Sequence, residues 1–328
     1  MATPTTKRSL LSALTSSLLL AHTQATPWKV LDVDFPDPAI IHTDDGYHAF
    51  ATTSGDINTQ VAHSADFTTW TLLEGHDALP APFPDWVIDD PKPGVWAPDV
   101  IQRDDGTFIM YYCAYARQDP TKHCVGAATS PSVEGPYTPE ANVLACPTEQ
   151  GGAIDASGYK DDDGTWYVVY KVDGSALNTD ANYHPTPIML QKMEADAVTP
   201  VGEPVQLIDR GEADGPLVEA PSITRGADGV YYMGFSSNMF DTLYYDMSWA
   251  TAEAIAGPWT KSQDPGAPLL VTGDDSDAGP LGGPGGADFR DDGKAILFHA
   301  FNNGQNTSEG RGTWAAEISL EGGRITLL

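Results

Sequence analysis

Short runs of β-branched and aromatic residues are cut at regular intervals along the chain by an Asp-Gly pair, the strongest short-range signal for a β-hairpin. The pair occurs at Asp45-Gly46, Asp105-Gly106, Asp163-Gly164, Asp228-Gly229 and Asp292-Gly293, with successive glycines 60, 58, 65 and 64 positions apart. Apolar runs follow each turn, as in Phe108-Ile109-Met110-Tyr111-Tyr112 and Trp166-Tyr167-Val168-Val169-Tyr170. Each period has room for about four strands, as one propeller blade requires, and sustained helical periodicity is hard to find. The pattern predicts an all-β chain folded as a five-bladed β-propeller in a single domain. An internal echo supports repetition: Gly135-Pro136-Tyr137-Thr138 in the second period answers Gly257-Pro258-Trp259-Thr260 in the fourth.

The first residues stand apart from this pattern. Lys7 and Arg8 precede an apolar stretch from Leu10 to Ala21, and small residues follow at Thr23 and Ala25. That layout predicts a secretory signal peptide over residues 1–25, an extracellular protein, and a catalytic domain over residues 26–328. Without the leader, 15 basic side chains face 46 acidic ones, so the surface repels nucleic acid and anionic membranes. A neutral substrate and a monomeric chain are expected. Cys113, Cys124 and Cys146 allow one disulfide and one leftover thiol; Cys146 could reach either partner, and Cys124 with Cys146 is the expected pair.

Upstream of the turns lies the candidate chemistry. Asp37, Asp99, Asp155 and Glu219 stand 9, 7, 9 and 10 residues before the glycine of their own period, each beside a proline or a small residue. Equivalent positions of different blades converge at one end of a propeller channel, so these acids are expected to meet. Glycoside hydrolysis needs a protonated carboxyl at the leaving oxygen and an ionised one opposite, with environment separating the two. A third acid nearby can tune the proton donor. Asp44, Asp104, Asp162 and Asp291 are read as turn formers instead.

As a set, Asp-Pro-Ala-Ile at Asp37, Trp-Ala-Pro-Asp at Trp96 to Asp99, Ala-Ile-Asp at Asp155 and Glu-Ala-Pro-Ser at Glu219 resemble glycoside hydrolase family 43. The resemblance covers nearly all of the chain after the leader. It implies a five-bladed propeller enzyme acting with inversion on arabinose- or xylose-containing polysaccharides. Asp37 would be the general base, Glu219 the general acid, and Asp155 the residue that tunes and orients the acid. Asp99 would be peripheral, as a contact to substrate or a structural group. The expected activity is cleavage of α-L-arabinofuranosyl linkages in arabinan or arabinoxylan, with β-xylosidase or xylan-debranching action as the alternative. A carbohydrate-binding propeller without catalysis is the alternative of another class.

Around these acids, Trp96, Trp86 and Phe35 are candidates to stack on a sugar ring or else to pack the core, with Trp96 first. Trp86 lies in the proline-rich loop from Leu79 to Gly94, which is either a connection or a rim of the binding face. His299, on the apolar run Ile296 to Phe301, is either a satisfied core residue or, by the resemblance, a channel histidine holding a calcium ion or a water network. No cofactor is required for the expected reaction. Arg225 and Arg290 are turn-adjacent and expected to face solvent.

Overall fold

A computed structural model describes residues 1, 26–179, 181–263 and 266–328, so all of the expected leader but Met1 lies outside the described residues. Five antiparallel sheets are arranged in chain order around a central channel. Blade 1 comprises Ala39–Thr43, Gly46–Ala51, Gln60–Ser64 and Thr71–Leu72; blade 2 comprises Trp96–Gln102, Phe108–Ala116, Asp119–Ser130 and Thr138–Ala145. Blade 3 takes Ala153–Lys160, Trp166–Val172, Ile188–Met193 and Pro200–Ile208, and blade 4 takes Val218–Arg225, Tyr231–Ser237, Asp246–Ala252 and Thr260–Lys261. Blade 5 is assembled from both ends of the chain. To Gly285–Phe289, Ala295–Phe301 and Arg311–Glu321 it adds the first strand, Trp28–Leu31, whose Trp28 pairs with Ala315. Its fifth strand, Arg324–Leu327, pairs with the far half of Arg311–Glu321.

The five Asp-Gly turns sit where the sequence places them, between the first and second strands of each blade. Their glycines take φ between 67° and 123°, a region that costs other residues dearly. In blades 2 to 5 the aspartate before the glycine accepts the N–H two residues on, at 2.8 to 3.1 Å, which locks the turn. Blade 1 differs: Thr43 pairs directly with Gly46, leaving a tighter two-residue turn.

Each blade buries both faces. One apolar cluster lies between each pair of neighbours: Phe50 with Tyr112, Tyr111 with Trp166, Ile188 with Phe235, Trp249 with Phe298, and Leu297 with Ala49. Burial of a large apolar side chain contributes roughly 1.5–3 kcal/mol. Stability therefore resides in the ring of interfaces, and the channel is left for chemistry.

Channel-lining side chains are aimed by one repeated backbone feature. The innermost strands of blades 2 to 5 each slip register, between Trp96 and Asp99, Ile154 and Ser157, Glu219 and Ser222, and Gly285 and Asp288. At each slip one residue is left-handed: Ala97 (φ 39°), Asp155 (57°), Ala220 (49°) and Gly286 (57°), with Asp37 (55°) at the same place in blade 1. Such bulges re-aim side chains, and for the four residues with a Cβ the conformation costs roughly 1–2 kcal/mol each. Five blades thus present the same twisted step to the channel.

Candidate active site

Asp37 lies on the left-handed step of blade 1, and the far end of the chain holds its carboxylate. Arg311 Nη1 donates to Oδ1 at 3.1 Å and Thr52 Oγ1 donates to Oδ2 at 2.7 Å, while His299 Nδ1 stands 3.3 Å from Oδ1. Burial pushes this carboxyl up, but the Arg311 charge and the Thr52 hydroxyl outweigh it and hold the pKa far below the usual carboxylate range. Asp37 is therefore ionised at any working pH. Gly286 makes room for this arrangement, because a Cβ there would come within 2.5 Å of His299 Cε1.

Glu219 precedes the left-handed step of blade 4 and is only 8% exposed. Its Oε2 accepts from Lys171 Nζ at 2.8 Å and its Oε1 from the Tyr245 hydroxyl at 3.0 Å. Lys171, 1% exposed, also meets Asp173 at 2.9 Å and donates to Ser175 Oγ at 2.9 Å. Burial opposes its charge, yet the surrounding Glu219, Asp173 and Asp155 carboxylates raise its pKa, so it remains an ammonium. Asp155, on the left-handed step of blade 3, accepts the Ala220 N–H at 2.9 Å. Burial first, and the Glu219 charge second, raise its carboxyl well above the usual value.

The second strands explain this placement. Opposite the steps stand Cys113, Lys171, Ser236 and His299, paired with Trp96, Ile154, Glu219 and Gly285; Thr52, whose N–H donates to the Pro36 carbonyl, takes the same place in blade 1. Three of these five receive the backbone N–H of the next blade's left-handed residue. Asp37 donates to His299 Nδ1 (3.1 Å), Ala97 to Thr52 Oγ1 (2.8 Å), and Gly286 to Ser236 Oγ (2.9 Å). A lysine cannot accept, so Lys171 turns to Glu219 and the orphaned Ala220 N–H goes to Asp155. One charged residue in a ring of acceptors builds the acidic half of the site.

Asp37, Asp155 and Glu219 line one cavity of about 450 Å³, together with Trp96, Lys171, Tyr245 and Arg311; that volume lies in the usual range for small-ligand sites. Its rim carries Met239 and Phe240, 37% and 40% exposed, with the Arg311 guanidinium 4.7 Å from the Phe240 ring. Trp96 faces the cavity with its ring on His123, centroids 3.8 Å apart.

Three of the candidates lie elsewhere, each on the packing or structural side of its two readings. Phe35 is 0% exposed, part of the apolar cluster that seals blade 5 to blade 1, and cannot stack on a ligand. Trp86 packs on Tyr112 and over Gly126, away from the acids. Asp99 sits two residues beyond the step and points deeper into the channel. It accepts the Gly158 N–H at 2.6 Å, and burial with the Asp288 charge pushes its carboxyl up. Asp288 itself accepts from Ile40 N and Ser222 Oγ and is raised to about 6, chiefly by burial. These two acids tie neighbouring blades together below the cavity.

The residues around His299 do not fit a calcium ion. Its Nδ1 already accepts the Asp37 N–H, and its Nε2 lies 3.5 Å from Arg311 Nη1, so a cation occupies the approach. Arg225 and Arg290 pair with Asp162 and Asp292 at the turns. Cys124 and Cys146 are bridged, and Cys113 is buried with a free thiol. Lys171, Tyr245, Thr52 and Arg311 were not legible as site residues, although a lysine inside the apolar run Tyr167 to Val172 is a signal of a buried charge.

The sequence profile of the glycosyl hydrolases family 43 matches residues 28–324. An extracellular endo-α-(1→5)-L-arabinanase of Thermotoga petrophila is 30% identical over 189 residues, 49% of this chain and 37% of that protein. The chain thus spans little more than a third of that relative's length. A probable arabinan endo-1,5-α-L-arabinosidase C of Aspergillus flavus is 25% identical over 311 residues, covering 89% of this chain and 90% of that one. Among solved structures, an endo-1,4-β-xylanase from Bacteroides thetaiotaomicron superposes with a TM-score of 0.71 at 26% identity, over 92% of this chain and 96% of that chain.

Proposed function

The chain belongs to the glycosyl hydrolases of family 43, and we propose that it hydrolyses α-L-arabinofuranosyl linkages of arabinan with inversion at the anomeric carbon. The observation that carries the reading is one cavity holding carboxyls of opposite electrostatic character. Asp37 is held ionised against Arg311, whereas burial and the Glu219 charge hold the Asp155 carboxyl well above the usual carboxylate range.

In this reading a water between Asp37 and the sugar attacks the anomeric carbon and passes its proton to Asp37. Glu219 gives its proton to the departing glycosidic oxygen as the C–O bond breaks. Lys171 and Tyr245 fix the orientation of Glu219, and Asp155 supports it through the Ala220 N–H. Holding Asp37 so low weakens it as a base, which suits an oxocarbenium-like transition state that attracts water strongly. The reaction requires no cofactor. Trp96, Met239 and Phe240 offer apolar surface to furanose rings along the rim, and a neutral polymer suits a cavity on so acidic a protein.

Arabinan is favoured by two relatives named for it, and a secreted, monomeric protein is proposed on the acidic surface, the disulfide and the word extracellular in the Thermotoga protein's name. Xylan is the second reading, on the likeness to the Bacteroides enzyme. The test is product analysis on linear arabinan, arabinoxylan and xylan for wild type and Glu219→Gln, with proton NMR of the first-formed anomer. Arabinan products of inverted configuration, abolished in the variant, are expected. Release of xylose products alone would overturn the arabinan assignment, and no turnover with binding retained in both forms would overturn catalysis.

A further inference from the structure

At the turn end of blade 1, opposite the end that carries Asp37, the chain assembles a second group of donors. His48 and His63 are direct cross-strand partners on the second and third strands, their ring centroids 4.8 Å apart. Asp45 stands beside them in the two-residue turn. One ligand atom from each of the three lies within 4.8 Å of the others. Glu134, from the loop before blade 2's last strand, brings Oε1 to 3.5 Å from His48 Nε2.

His48 points to a missing ligand. It is 0% exposed, yet neither ring nitrogen has a hydrogen-bond partner, an uncommon state for a buried polar group. Its neighbours are arranged as metal ligands often are. His63 Nε2 donates to the Asp45 carbonyl at 3.1 Å, which leaves Nδ1 unprotonated, and the Thr43 hydroxyl donates to the Asp45 carboxylate. Asp45 also departs from the pattern of the other blades, where the turn aspartate is spent on a backbone N–H.

We propose that Asp45, His48 and His63, with Glu134 as the fourth donor, form a structural site for a transition-metal ion, zinc by its donor chemistry. Two imidazoles and two carboxylates suit zinc, whereas calcium takes six to eight oxygens. Tetrahedral zinc with ligands at about 2.0–2.1 Å brings donors to about 3.3 Å of one another, so Asp45, His48 and His63 must close by up to about 1.5 Å. Asp45 and Glu134 are exposed enough to rotate. The ion would cross-link blade 1 to the loop of blade 2.

The experiment uses the tag-free chain, stripped with chelator and dialysed against zinc, then assayed for metal content, for affinity by calorimetry and for thermal unfolding. Wild type should bind one zinc per chain and unfold at higher temperature with it. Asp45→Ala and His63→Ala should bind at least 10-fold more weakly and show no zinc-dependent shift, with turnover of arabinan unchanged from wild type. Uptake well below one zinc per chain, equal uptake by wild type and both variants, or preference for calcium over zinc would overturn the proposal. None of these outcomes depends on which polysaccharide the enzyme cleaves.

Discussion

Replacing Arg311 by leucine tests the electrostatic reading of the base. Arg311 Nη1 lies 3.1 Å from Asp37 Oδ1, and the two side chains are 13% and 22% exposed. At an effective dielectric near 20, unit charges at that distance attract by about 5 kcal/mol. Partial access of water reduces this to about 3 kcal/mol, which corresponds to a little over two pH units. Burial, the largest influence on Asp37 and an upward one, is then less opposed. The carboxyl should rise by a little over two pH units, to about 3. In kcat/KM measured from pH 2.5 to 8, wild type should show no acid limb, and Arg311→Leu should lose half its activity between about pH 2.8 and 3.5.

Stability changes in the corresponding sense. A carboxyl whose folded pKa is depressed contributes stability above its unfolded pKa, and loses it as pH falls toward the folded one. Urea melts should therefore separate wild type from variant by about 3 kcal/mol at pH 7 and by less at pH 3.5. The height of the profile will also fall, since the guanidinium faces the substrate cavity. Its acid limb is the diagnostic. An identical acid limb in both proteins, or one displaced to lower pH in the variant, would refute the assignment of Asp37 as a base held ionised by Arg311.

Lys171→Met removes the cation that lowers Asp155 and orients Glu219, so kcat should drop roughly 100-fold and the basic limb of the rate profile should move to higher pH, read from a pH series of kcat. Gly286→Ala places a Cβ within 2.5 Å of His299 at φ +57°; a loss of about 2 kcal/mol or more is expected in urea unfolding, with activity falling alongside. Cys124→Ala opens a loop whose ends are 22 residues apart and should cost about 3 kcal/mol, measured against wild type without reductant.

The turns were legible because an Asp-Gly pair encodes its own geometry, without help from the rest of the chain. The acids were legible only in part. Spacings of 9, 7, 9 and 10 to the turn glycine looked like one phase with scatter, yet each unit of difference is a different place on the bulged strand. Asp37 and Asp155 occupy the left-handed step, Glu219 the residue before it, and Asp99, two beyond, belongs to the layer below. Residue type in a strand says little about which layer a side chain serves. Phe35 shows the same limit for aromatics, because its place was decided by closure of blade 5 onto blade 1. Arg311 and Lys171 act through second and third strands whose register with the first is not written in local pattern.

Arg311 and Asp37 are 274 residues apart in the chain, and the strand bearing Arg311 is also the one that pairs with Trp28–Leu31. Ring closure and the charge pairing of Asp37 are thus a single event. Blades 1 to 4, which carry Asp37, Asp155, Lys171 and Glu219, all precede in the sequence the guanidinium that keeps Asp37 ionised. The ionic character of the cavity therefore depends on the strand pair that seals the ring, and separation of that pair would free the Asp37 carboxyl from Arg311 even where the other four blades kept their form.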